Sequence, residues 1–128
     1  MLLAKTLVAK PEEFFDWYRR VGPAVYERAN VLRQVMRQRH PAQAFGARLA
    51  AHVAKSPSYE AYHDFAGLLV WAYDDIELAA QALKGARGTC DDARLEFELA
   101  RHWMRLRRTA DALEAASIGV RFAEGGKD

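Results

Sequence analysis

The sequence predicts an all-α domain, and three observations carry that expectation. Proline and glycine recur at intervals that suit short turns between helices: Pro11, Gly22–Pro23, Pro41, Pro57 and Gly88. Ala, Leu, Arg and Glu dominate between them, all strong helix formers. No stretch alternates apolar and polar residues as a half-buried strand would. Five to seven helices are expected, as antiparallel helical hairpins in a repeat-like array or as a compact bundle. With 128 residues, about half of them apolar, the chain can bury one core. Residues 1–128 therefore read as a single helical domain, with 123–128, "AEGGKD", a frayed tail.

Taken in order, Pro11 opens "PEEFFDWYRR", where a first-turn proline forfeits no hydrogen bond and Glu12 and Glu13 suit the positive helix start. Pro23 starts a second helix over 23–39, and Pro41 a third over 41–55. Ser56 is the expected cap of the next, with Pro57 in its first turn. "SYEAYHDFAGLLVWAY" follows, with a bend or a continuous helix at Asp74–Asp75 before "IELAAQALKGAR". Arg87–Gly88 reads as a stop. Thr89 with Asp92 resembles a capping box ahead of "RLEFELARHWMRLRR", and Thr109 is the expected cap of "ADALEAASIGVRF".

The formal charge of +2 does not demand nucleic acid and leaves room for an acidic partner. Cys90 is the only cysteine, which excludes an internal disulfide and a thiolate metal cluster and fits a reducing, cytoplasmic setting. "MLLAKTLVAK" lacks a signal h-region and reads as part of the fold. "FAGLLVWAY", bounded by His63–Asp64 and Asp74–Asp75, is too short for a membrane span and reads as core.

On a helical wheel, Arg94, Arg101, Arg105 and Arg108 fall on one narrow stripe. Leu95, Leu99, Trp103 and Leu106 flank it on one side, and Ala93, Phe97, Ala100 and Met104 on the other. A helix with two apolar flanks packs between two neighbours and leaves its charged ridge open, as in a stacked array. The alternative is a bundle helix whose arginines snorkel to water. Ala100, Trp103, Ala112, Ala116 and Gly119, with Gly67, Val70, Ala79, Leu83 and Ala86 set 33 residues earlier, place small residues where helices cross and large ones between them. In this, Tyr59 to Phe122 resembles a pair of tetratricopeptide repeats.

The resemblance implies that the arginine stripe lines an inner, partner-binding face. Guanidinium forks suit carboxylates whatever the family. The candidate partner-binding residues are Arg94, Phe97, Arg101, Met104, Arg105 and Arg108, unless Glu60, Asp74, Asp91 or Glu98 already engages the cations. Arg33, Arg37, Arg39 and Arg48 either extend a basic groove or decorate other faces. The expected function is an adaptor or small chaperone-like module, without a cofactor, holding an acidic or amphipathic segment of another protein.

A second class of function is a metal-dependent helical-bundle enzyme. Glu60 and His63 have the Glu-x-x-His spacing of di-iron bundles, and Glu98 is a recruitable third ligand. No second such pair occurs. A third class is nucleic-acid binding through "RHWMRLRR" and "RQVMRQRH", and a fourth is a helical homo-oligomer. Cys90 beside Asp91 and Asp92 meets opposing effects on its thiol: a helix start that lowers the pKa and carboxylates that raise it. Tyr18, Tyr26, Tyr59 and Tyr62 read as core or interface anchors. Trp17, Trp71, Tyr73 and Trp103 line either the core or a small-molecule pocket.

Overall fold

Pro11 begins the first helix of the computed structural model, which describes residues 9–22 and 30–125. Helix α1 (Pro11–Val21) buries Phe14, Phe15 and Tyr18, and ends where Gly22 takes a φ of 80°. Helix α2 (Asn30–Arg39) buries Met36. The expected helix over 23–39 is present from Asn30, and 23–29, with Tyr26, lies outside the described residues. Helix α3 (Ala42–Ala54) buries Phe45, Leu49 and Val53, a stripe of every fourth residue.

Helix α4 (Tyr59–Tyr73) is the hub. It buries Ala61, Tyr62, Phe65, Ala66, Leu68, Leu69 and Ala72, because α1, α2, α3, α5 and α6 all pack against it. The "FAGLLVWAY" run is thus core, and an apolar helix surrounded by neighbours needs no polar face. Its cap is Ser58, whose Oγ accepts from the Ala61 N–H at 3.1 Å. The expected cap at Ser56 is therefore displaced, with Pro57 ahead of the helix rather than inside it.

Asp74 settles the first open join. It adopts a φ of 53° and stops α4, and Asp75 then caps α5 (Ile76–Lys84) by accepting from the Leu78 N–H at 2.9 Å. The next turn is fixed by Gly88 at a φ of 84°, whose N–H donates to Asp91. Asp92, not Thr89, caps α6 (Ala93–Arg105), accepting from the Arg94 N–H. Thr89 lies in the turn, so the expected capping box does not form.

Helix α6 stops at Arg105 through a Schellman arrangement. Arg108 N–H bonds to the Trp103 carbonyl, Arg107 N–H to that of Met104, and Arg107 sits at a φ of 59°. Helix α7 (Thr109–Gly125) then returns along α6. It runs into the stretch expected to fray, and 126–128 lies outside the described residues. Among the described residues there are seven helices of this kind and no strand.

The helices pack as successive hairpins. Helices α4 and α5 pair, α6 is seated on both, and α7 packs on α6. Starts recur at similar intervals: Tyr59 and Ala93 for the leading helices, Ile76 and Thr109 for the returning ones. Helix α1 lies on α3 and α4, so α1, α4 and α6 follow one another along one side. One contiguous core runs from Phe14 and Phe45 through Phe65 and Leu69 to Leu99, Trp103 and Ala115.

Candidate functional site

Helix α6 turns Leu95, Leu99 and Trp103 into the core, each at most 2% exposed. Two acids go in with them. Glu96 is held by a two-pronged pair with Arg87, Nε to Oε2 at 2.9 Å and Nη2 to Oε1 at 2.8 Å. Glu98 places Oε1 2.5 Å from Nδ1 of His63 on α4. Both contacts tie α6 to the preceding hairpin, and both supply the partner that a buried carboxylate requires.

The arginine stripe divides. Arg94 folds back on Asp92, Nη2 to Oδ2 at 2.8 Å, with its guanidinium 3.9 Å above the Tyr59 ring. That contact holds the Asp92 carboxyl below its ordinary pKa. Arg108 is not on the helix at all. It lies past the left-handed Arg107, pairs with Asp111 at 2.8 Å and Glu77 at 3.1 Å, and covers the Trp103 ring. Arg101 and Arg105 are exposed, and no described carboxylate lies within ion-pair distance of either. Two of the four stripe cations are therefore engaged by the chain's own acids and two are not.

Those two stand on a ridge between two hollows. On one side a cleft of about 580 Å³ opens between α1, α4 and α6. Tyr18, Ala66, Val70 and Trp71 form its apolar walls, with Gly67 against the Tyr18 hydroxyl. Its carboxylate, Glu98, is already engaged by His63. His102 also faces this cleft. Its Nδ1 is buried with no partner among the described residues, and burial pushes its pKa down. Glu98 opposes that shift, while Arg105, Arg101 and His63 add to it.

On the other side a groove of about 550 Å³ runs between α6 and α7, lined by Ala100, Met104, Ala112, Leu113 and Ala116. Arg101 and Arg105 border it too, and no acid lines it. Apolar side chains stand open along this hairpin: Met104 is 55% exposed, Leu113 68%, Val120 48% and Phe97 37%. Phe97 rests on the α7 backbone, where any Cβ at Gly119 would stand 2.7 Å from its ring. The candidates Phe97 and Met104 thus flank Arg101 and Arg105 on the α7 side, and Arg94 and Arg108 are tied down at the two ends.

The other cations and donors fall elsewhere. Arg37 donates to the Ala72 carbonyl at the end of α4, and Arg48 pairs with Glu12 at 2.6 Å. Arg33 and Arg39, on α2, line neither hollow. His63 meets Glu98, but Glu60 does not complete a ligand set, and no three His, Cys, Asp or Glu side chains among the described residues are placed to hold a metal ion. Burial, then Asp92, Asp91 and Glu60, push the Cys90 thiol up, which suppresses the thiolate. Of the aromatic residues considered for a small-molecule pocket, Trp71 lines the cleft, whereas Trp103 is 2% exposed in the core.

Sequence reasoning missed Leu113 and Val120. They stand seven residues apart on α7, a spacing that places them on one face. Without knowing which α7 face the other helices cover, that pattern is indistinguishable from a core stripe. Among the described residues no helix is long and apolar enough to cross a membrane. No protein-family model matches the chain, and comparison with curated proteins and with solved structures returned no match.

Proposed function

We propose that the chain is a protein-binding adaptor or chaperone-like module of tetratricopeptide-like build, and that it holds an acidic amphipathic helix across the α6–α7 hairpin. The observation that carries the reading is the conjunction of unmatched charge with open apolar surface. Arg101 and Arg105 border a groove that contains no acid, beside the exposed Met104 and Leu113. The matched helix starts of the two hairpins support the repeat-like build, as do Gly67 and Gly119 at close helix approaches. In stacked hairpins each unit covers the next, so a hairpin with an uncovered face presents a ready helix-binding surface.

The charge selects the occupant. A two-fold contact of this face with itself would bring the arginines of both copies into one interface with no acid from the groove to offset them. An acidic amphipathic helix supplies apolar side chains for Met104 and Leu113 and carboxylates for the guanidinium forks.

The test is fluorescence anisotropy with a labelled helical peptide carrying leucines on one face and glutamates beside them. Arg101→Glu is expected to weaken binding at least about tenfold, the size of one lost charge-assisted contact. Its melting temperature should stay within about 2 °C of wild type, because Arg101 is exposed and has no described ion pair to lose. Unchanged peptide binding, or loss of fold, overturns the assignment. Salt-sensitive binding of duplex DNA in place of the peptide, or a dimer in sedimentation that survives Arg101→Glu, reassigns the surface to nucleic acid or to a second copy.

A further inference from the structure

We infer that the cleft between α1, α4 and α6 is a binding site for a small organic anion with an apolar or aromatic body, on the opposite side of the Arg101–Arg105 ridge from the partner groove and sharing those two cations with it. Its volume, about 580 Å³, is in the range of small-ligand sites. Its composition is that of an amphiphile site. Tyr18, Val70 and Trp71 give a partly aromatic wall. Gly67 contributes no side chain and lets Tyr18 come close: a Cβ there would stand 3.1 Å from the Tyr18 hydroxyl, a tight contact. Cations stand at one side, where Arg101 and Arg105 have no carboxylate partner among the described residues.

The acid in the cleft does not compete for them. Glu98 Oε1 lies 2.5 Å from His63 Nδ1, so its charge is directed toward α4. An entering anion therefore meets two guanidiniums, while its apolar body displaces water from the Trp71 side. A neutral molecule of the same shape gains the second contribution and not the first. A cation meets Arg101 and Arg105 as like charges. The ligand class is thus a carboxylate, sulfonate or phosphate ester on a ring or short chain.

The experiment uses 1-anilinonaphthalene-8-sulfonate as the anionic probe and N-phenyl-1-naphthylamine as its uncharged counterpart, each titrated into the full chain and followed by probe fluorescence. The sulfonate is expected to bind about tenfold more tightly than the neutral compound. Gly67→Leu fills the cleft and should abolish that binding. Leu113→Glu, in the other groove, should leave it unchanged. Should Gly67→Leu not fold, methyl shifts of Val70 against Leu113 in the wild-type chain locate the probe. Equal affinity for both probes overturns the inference. So does sulfonate binding that survives Gly67→Leu and disappears in Leu113→Glu, or a probe that shifts Leu113 and not Val70.

Discussion

The α4–α5 hairpin and the α6–α7 hairpin are nearly the same object in different surroundings. Their helices start at matching intervals and each pair is joined by a turn with one residue in the left-handed region, Asp74 in the first and Arg107 in the second. The first hairpin has α3 and α1 on one side and α6 on the other. Among the described residues it leaves no large apolar side chain exposed, whereas the second leaves Phe97, Met104, Leu113 and Val120. The difference is in what packs against each hairpin: α1, α3 and α6 cover the first, whereas among the described residues one face of the second is left open. Here that uncovered surface carries the two unmatched arginines as well.

Truncating one leucine on the returning helix of each hairpin should expose the contrast most sharply. Leu83 on α5 is 1% exposed and Leu113 on α7 is 68% exposed. Leu83→Ala removes a packed side chain and should cost about 3 kcal/mol in urea unfolding. Leu113→Ala should change stability by less than about 0.5 kcal/mol. Comparable losses from the two would mean that the last hairpin is covered in solution, and the comparison between a closed and an open unit would collapse.

The joint between the hairpins comes next. Arg87 follows α5, Glu96 lies on the first turns of α6, and the pair closes with the carboxylate side chain 3% exposed. Removing one member of such a pair leaves the other without its counter-charge. Glu96→Ala should cost roughly 2–4 kcal/mol, while Glu114→Ala, which removes only the longer 3.5 Å contact to Arg87 from an exposed side chain, should cost under about 0.5 kcal/mol. Equal effects would show that Arg87 is anchored by general charge rather than by the forked geometry with Glu96.

Much of this fold was legible in the residues. Pro11, Asp75 and Gly88 mark boundaries through local chemistry, and each acts where it stands. The caps at Ser58 and Asp92 were displaced by two or three residues because Ser56 and Thr89 satisfy the same pattern, and only packing chooses between them. The stop after Arg105 was hidden for a different reason. Its left-handed residue is an arginine, which carries no such preference, and the wheel therefore ran on and placed Arg108 on a helix that had already ended. The arginine stripe itself was a matter of spacing. Which arginines stay unmatched depended on acids at Asp92, Asp111 and Glu77, and for Glu77 and Arg108 the sequence separation of 31 residues gives no local signal. The cleft was still less legible, since Tyr18 and Trp71 come together only through the packing of α1 on α4.

The smallest expected effect concerns the face of α6 that turns toward the cleft. Burial holds the His102 pKa below the ordinary histidine range, with Arg105, Arg101 and His63 acting in the same sense against Glu98. Tyr18 borders the same hollow from α1. Because the folded chain resists protonating His102, the unfolded chain binds the proton first as pH falls through about 6.5. Folding stability should therefore decline from that pH down to the lower folded-state pKa, and above about 6.5 this residue should contribute no slope. Replacing His102 with Gln removes the titration and keeps a polar side chain of similar reach. Urea unfolding at pH 7.5 and at pH 5 should then show a smaller acid-induced loss in His102→Gln than in wild type. An unchanged loss would mean that His102 does not set the slope, and the cleft side of α6 would carry no proton-sensitive element in this residue.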